Sequence, residues 1–298
     1  MFDDFEITIT ATESAQTEAN VTARYASGVR MGTLRLDAIA AAVDQLNAAL
    51  QESQPSAEAL KESGRYLFDA LFTGRMLDAL REGMTLARSQ RRGLRLRLYS
   101  EVPAVITVPW EYLYDPEQLG WLALHPDLSL VRALPVAGGE PLPVEGLLQV
   151  LVVIADPTDL PPVESTAEWE NLQNATATAP VTLTRCAPTY AALLSALRQS
   201  PQVVHFVGHG CFEEASQAGY LAFVGEHGEA DWISADQLAT LLGGCKTLRL
   251  VILNTCQGAT TGEQSPFGGI TQRLIQRQIP VVLAMQRAIA DTEAIRFS

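Results

Sequence analysis

Hydrophobic positions recur along this chain in two rhythms, and the change from one to the other falls near the middle. Residues 1 to about 25 alternate weakly and end in turn formers, which predicts one or two strands. In "LRLDAIAAAVDQLNAAL", residues Leu36, Ile39, Val43, Leu46 and Leu50 sit at helical spacing, so Leu34 to Leu50 reads as an amphipathic helix. A second helical region follows Pro55 and runs to Gln90, with Gly74 and Gly83 as predicted breaks. In "GLRLRLYS" the leucines Leu94, Leu96 and Leu98 share one face and Arg95 and Arg97 the other, the pattern of a strand with one wet face.

A Pro/Gly-rich stretch from Leu134 to Gly146 then marks a domain boundary. It leaves an α+β region over 1–140 and a second region over 146–298. Beyond it, apolar runs alternate with helical patterns: "LQVLVVIAD", "ESTAEWENLQNA", "VTLTRCA", "YAALLSALRQ", "VVHFVGH", a hairpin-like excursion, "SADQLATLLGG", "LRLVILNTC", "GGITQRLIQRQ" and "IPVVLAMQ". Continuous Val/Leu/Ile runs separated by helices predict a mainly parallel sheet covered on both faces. No segment repeats at a solenoid period.

Composition narrows the function classes. At 298 residues with 47% hydrophobic and 18% charged content and a mean hydropathy of +0.09, the chain has the make-up of a globular protein. A formal charge of −13 argues against a nucleic-acid partner, since such proteins present a basic face to phosphates. The arginines from Arg81 to Arg97 read as helix-end and wet-face cations. The four cysteines, Cys186, Cys211, Cys245 and Cys256, lack disulfide-scaffold or metal spacing and suit a reducing compartment. The N-terminus lacks the regions of a signal peptide, and "LLQVLVVIA" is too short to span a bilayer. The expectation is a cytoplasmic protein with no membrane partner.

Two predicted strands end in chemistry-bearing residues. "VVHFVGHGCF" carries His209 between Gly208 and Gly210, and "RLVILNTCQGA" carries Cys256. In open α/β sheets functional groups gather at the carboxyl ends of strands, so an imidazole and a thiol would meet there if the two strands are neighbours. A cysteine nucleophile reacts as thiolate, which a nearby histidine supplies. Backbone amides at Gly210 and Cys256 are candidate oxyanion donors, because glycine lets a substrate carbonyl approach.

The motifs also carry a resemblance. "NTCQG" matches the caspase signature Q-A-C-[RQG]-G at Cys256, Gln257 and Gly258 but not at Asn254 and Thr255, with His209 upstream at a similar distance. The ordered set "VPWEYLYDP" (Val108 to Pro116), "HFVGHG" and "LNTCQGA" resembles the CHAT domain, a bacterial branch of the caspase-like cysteine peptidases, over about Leu94 to Ser298. The resemblance implies a three-layer α/β/α sandwich with His209 and Cys256 as catalytic dyad. It implies a protein or peptide substrate and no metal or organic cofactor. It also implies control by a regulatory protein partner or by further chain. Where caspases carry Gln and metacaspases Asp, two residues before the nucleophile, this chain has Asn254, a candidate substrate contact. Asp156, in "VVIADP", stands where caspases place an arginine for a P1 aspartate, and a carboxylate there suits a P1 Arg or Lys. The family domain usually continues beyond "AMQRAIADTEAIRFS", so a further helix and a wall of the substrate groove are expected past Ser298.

The other singled-out residues have plainer readings. His205 is expected to pack within the sheet layer, and His125 and His227 to lie on the surface. Cys211 follows the glycine where the family pattern asks for no thiol; Cys186 and Cys245 read as small core or loop residues. Trp110, Tyr112 and Tyr114 read as core aromatics tying the N-terminal part to the sheet, with Glu111 among them as a buried carboxylate paired to the arginine-rich segment. Two function classes compete: a cysteine endopeptidase, and a catalytically silent regulatory or scaffold module of the same fold docking through its N-terminal part. A small-molecule α/β enzyme is disfavoured because "VVIADPTDLPP" has no glycine for a phosphate loop.

Overall fold

A computed structural model describes residues 1–12, 17–51, 55–100, 102–133, 143–144, 146–213, 218–255 and 266–285. The chain divides into two compact units, Met1–Pro135 and Val136–Ser298, the division falling within the Pro/Gly-rich stretch, most of which lies outside the described residues.

The first unit opens with strands β1 (Phe2–Ala11) and β2 (Glu18–Tyr25), the two strands expected over the first 25 residues, and β3 (Gly28–Arg35), which the alternation does not single out. Helices α1 (Leu36–Gln51), α2 (Ala57–Leu71) and α3 (Arg75–Ser89) follow, then β4 (Gly93–Ser100), α4 (Pro103–Ile106), the short β5 (Tyr114–Asp115) and β6 (Gly120–Trp121), and β7 (Leu128–Ala133). The strand order is β3-β2-β1-β4-β7. Phe5, Ile7 and Ile9 of β1 and Leu94, Leu96 and Leu98 of β4 share the core with the apolar stripes of α1 to α3. Arg95 and Arg97 point the other way, to Asp4 and Glu6 across the β1–β4 ladder. Arg81, Arg88 and Arg92 likewise pair with Glu117, Asp127 and Asp3.

Two expectations are corrected here. Gly74 separates α2 from α3 at φ +48°, but Gly83 lies inside α3 and breaks nothing. A Cβ at Gly83 would stand 3.2 Å from the Phe5 ring, so this glycine serves close approach of helix to strand. Glu111 is exposed and pairs with Arg132 of β7, outside the Arg81–Arg97 segment. Trp110 is buried, its indole N–H donating to the Val105 carbonyl within the first unit's own core.

The second unit runs β8 (Leu148–Ile154), α5 (Ser165–Thr176), β9 (Val181–Cys186), α6 (Tyr190–Ala196), β10 (Val203–Glu213), β11 (Ala218–Val224), β12 (Ala230–Ser234), α7 (Ala235–Gly243), β13 (Leu250–Thr255), α8 (Pro266–Gln276) and β14 (Val281–Ala284). Parallel pairing joins β9-β8-β10-β13-β14, with β11 and β12 added antiparallel to the far half of β10. Parallel strands need crossover connections, which the helices supply. Alternation sends Leu151, Val153, Val204, Phe206, Val251 and Leu253 into one core with residues of α6, α7 and α8. Val152, Ile154 and Val207 enter another with Leu172 of α5 and Val163. The C-terminal stretch from Gln286, expected to begin a further helix, lies outside the described residues.

No helix among the described residues is long and apolar enough to cross a membrane.

Candidate active site

From β8 the chain crosses to β9 on one side, then returns to β10 on the other side of β8. Such a reversal of strand order leaves a crevice between the carboxyl ends of the two central strands. The loop leaving β8, from Ala155 to Glu164, and the strand β10 both reach it.

The alternation of "VVHFVGH" suggests that β10 ends near His209, but the strand continues to Glu213. At His209 it changes partners. Through Gly208 it runs beside β13, with Gly208 opposite Thr255; from His209 it pairs antiparallel with β11, His209 opposite Ala222 and Gly210 opposite Leu221. The histidine is therefore held in a ladder, not in a loop. Gly208 is explained by the chain leaving β8 beside it: a Cβ there would stand 3.0 Å from the Ala155 carbonyl oxygen.

His209 is 1% exposed, and its Nε2 lies 2.8 Å from the Pro161 carbonyl oxygen. A carbonyl only accepts, so Nε2 carries the hydrogen and a neutral ring keeps its lone pair on Nδ1. That Nδ1 is buried and has no partner among the described residues. The ring is thus presented as a base through one defined nitrogen. Pro161 gives no signal in the sequence, because its contribution is a backbone carbonyl.

β13 ends at Thr255, directly opposite Gly208. Cys256, named as nucleophile and as oxyanion donor, lies outside the described residues. Asn254 is fully buried, and its Nδ2 donates to Glu168 Oε1 at 3.5 Å. Glu168, on α5, is itself fully buried. Glu168 belongs to no motif in the sequence; its one signal is a carboxylate four residues before Leu172, on the inward stripe of the helix.

Asp156 is exposed, and its Oδ1 accepts the Val163 N–H at 2.9 Å. In the same loop the Thr158 N–H and hydroxyl donate to the Gly228 carbonyl at 2.8 and 3.1 Å. Asp159 Oδ1 accepts the Ala230 N–H at 2.8 Å, so the loop is fastened to the β11–β12 turn.

His205 is 3% exposed and stands between Val152 and Ile252 in the ladders. Burial pushes its pKa down to about 4, because an imidazolium there would lose its hydration. Burial raises the thiol pKa of Cys211, with a smaller contribution from Glu213, and burial also raises that of Cys186. Cys245 reaches the Thr247 hydroxyl at 3.3 Å. Among the described residues no group of three His, Cys, Asp or Glu side chains could hold a metal ion.

A family model described as the CHAT domain matches residues 61–298. The match begins inside α2, well before Leu94, and takes in the later elements of the first unit together with the whole second unit. No curated protein matches the chain.

Proposed function

The chain belongs to the CHAT domain family, a caspase-like family, and from that premise we propose that it is a cysteine endopeptidase acting through Cys256 and His209. The observation that carries this reading is His209 itself, buried, tied through Nε2 to the Pro161 carbonyl, with an Nδ1 that has no partner among the described residues, one residue past the pairing of Gly208 with the last residue of β13. Continuing the alternation of β13 past Asn254 would bring Cys256 to the face that carries His209. The helices α5 on one face and α6 to α8 on the other support a three-layer α/β/α sandwich around this site.

In the proposed reaction Nδ1 takes the thiol proton of Cys256, and the thiolate attacks the scissile carbonyl carbon. The amides of Gly210 and Cys256 are the donors for the resulting oxyanion. The imidazolium then gives its proton to the leaving amine as the C–N bond breaks, leaving a thioester. Water, deprotonated at Nδ1, hydrolyses the thioester and restores the thiol. The Pro161 carbonyl supports the charged ring, since a hydrogen bond from an imidazolium is stronger than one from a neutral ring. Protein or peptide is the proposed substrate, and control by a separate protein partner follows from the same family reading.

Cleavage of a peptide library by the full chain, compared with Cys256→Ser and His209→Gln, tests the proposal. Turnover lost in both variants supports it. A wild-type chain that cuts nothing, or turnover retained in either variant, would leave the regulatory-module reading in its place.

A further inference from the structure

We propose that Asp156 is a positioning residue: it fixes the Pro161 carbonyl that holds His209 in its working tautomer. This rests on the peptidase reading above and replaces the expectation that Asp156 meets a basic P1 side chain.

Pro161 is exposed, so core packing does not place its carbonyl. Its 2.8 Å approach to Nε2 has to be set by what holds the loop. Asp156 Oδ1 accepts the Val163 N–H at 2.9 Å and so closes the loop from its second residue to a point two residues past Pro161. Val163 is buried with Val152, Ile154, Leu172 and Val207, which makes it a firm anchor for that bond. On the other flank, Thr158 is bonded to Gly228 of the turn after β11, the strand that pairs with His209, and Asp159 to Ala230, the first residue of β12. Pro157, Pro161 and Pro162 fix φ at three positions and lower the entropy lost in holding the loop. The loop is therefore tied at both ends to the sheet around the imidazole. Asp156 supplies the tie on the far side of the carbonyl, two residues past Pro161, as Asp159 holds the loop two residues before it.

The two roles differ in what they need from the side chain. Accepting the Val163 N–H needs an oxygen, which Asn also offers; attracting a P1 guanidinium or ammonium needs the negative charge. Asp156→Asn and Asp156→Ala therefore separate them, and the exposed side chain makes both substitutions compatible with folding.

The full chain labelled with ¹⁵N-histidine would be read by long-range ¹H–¹⁵N spectra of the His209 ring, assigned with His209→Gln, beside kcat and KM on a cleaved peptide. Positioning predicts a single tautomer, Nε2–H, in the wild type and in Asp156→Asn, and averaging toward the other tautomer in Asp156→Ala. It predicts a fall in kcat/KM of about 10- to 100-fold for the alanine variant, carried by kcat, with the asparagine variant within about 3-fold of wild type. An unchanged ring signature in Asp156→Ala would overturn the proposal. So would an asparagine variant that keeps the tautomer but selectively loses peptides with Arg or Lys at P1, since that is the signature of a charge contact. If no variant and no wild-type sample cleaves any peptide, the peptidase reading falls, and the ring spectra alone still decide whether Asp156 positions His209.

Discussion

His205 makes the second unit sensitive to acid in a calculable way. Its imidazole is 3% exposed, flanked by Val152 and Ile252 in the sheet, with Glu168 and Asn254 on the α5 side of the same layer. In the unfolded chain the ring takes a proton near pH 6.5; in the folded unit burial delays this to about 4. Between those values the unfolded state binds more protons than the folded one, so stability falls as pH drops from 6.5 toward 4 and is independent of this group above that window. The span corresponds to about 3 kcal/mol. Urea unfolding of the full chain between pH 7.5 and 4, followed by pulsed hydrogen exchange of peptides from β10, would read it. His205→Gln removes the titration while keeping a polar group of similar size. The difference in unfolding free energy between wild type and variant should shrink or change sign as pH falls, by about the stated amount. Parallel pH profiles for the two proteins would refute the reasoning, whatever their absolute stabilities.

Other consequences are more local. Asn254→Ala leaves the fully buried Glu168 without one of its partners and should cost about 1–3 kcal/mol in chemical denaturation, with Asn254→Asp worse because it sets two carboxyls together. Gly64→Ala would place a Cβ 2.3 Å from the Tyr112 carbonyl oxygen, and the backbone shift should lower the first unit's stability by about 1–3 kcal/mol, read by its thermal midpoint. Asp4→Asn removes the carboxylate shared by Arg95 and Arg97, and a half-exposed cluster of this kind should lose about 1 kcal/mol or less, with the loss fading in high salt. The Arg95 hydrogen bond chiefly holds the Asp4 carboxyl below its usual range, so that contribution is present at neutral pH and disappears as pH falls through the lowered pKa.

Period-based reading carries far in this protein wherever burial is periodic. The amphipathic stripe of α1, the two-faced β4 and the unbroken apolar runs of β8, β10 and β13 each announce their element, because the side chains alone decide which face is buried. The reading stops short where tertiary partners decide. β10 runs past His209 where β11 folds back on it, and Gly83 serves the close approach of α3 to Phe5 instead of ending the helix. Glu111 finds Arg132, far along the chain, and is not buried. At the candidate site, His209 is legible as a side chain between two glycines, whereas Pro161 acts through a carbonyl and Glu168 through a buried pair, neither of which has a motif.

The most direct test of the central claim is the rate at which an electrophilic peptide ketone alkylates each cysteine of the full chain, resolved by mass spectrometry. Cys211 is an internal reference, since burial holds its thiol pKa above the usual value and slows its reaction. The account predicts that Cys256 reacts faster than Cys211 and faster than a free thiol, and that His209→Ala removes the advantage. Alkylation of Cys256 no faster than a free thiol, or unchanged by His209→Ala, would contradict it.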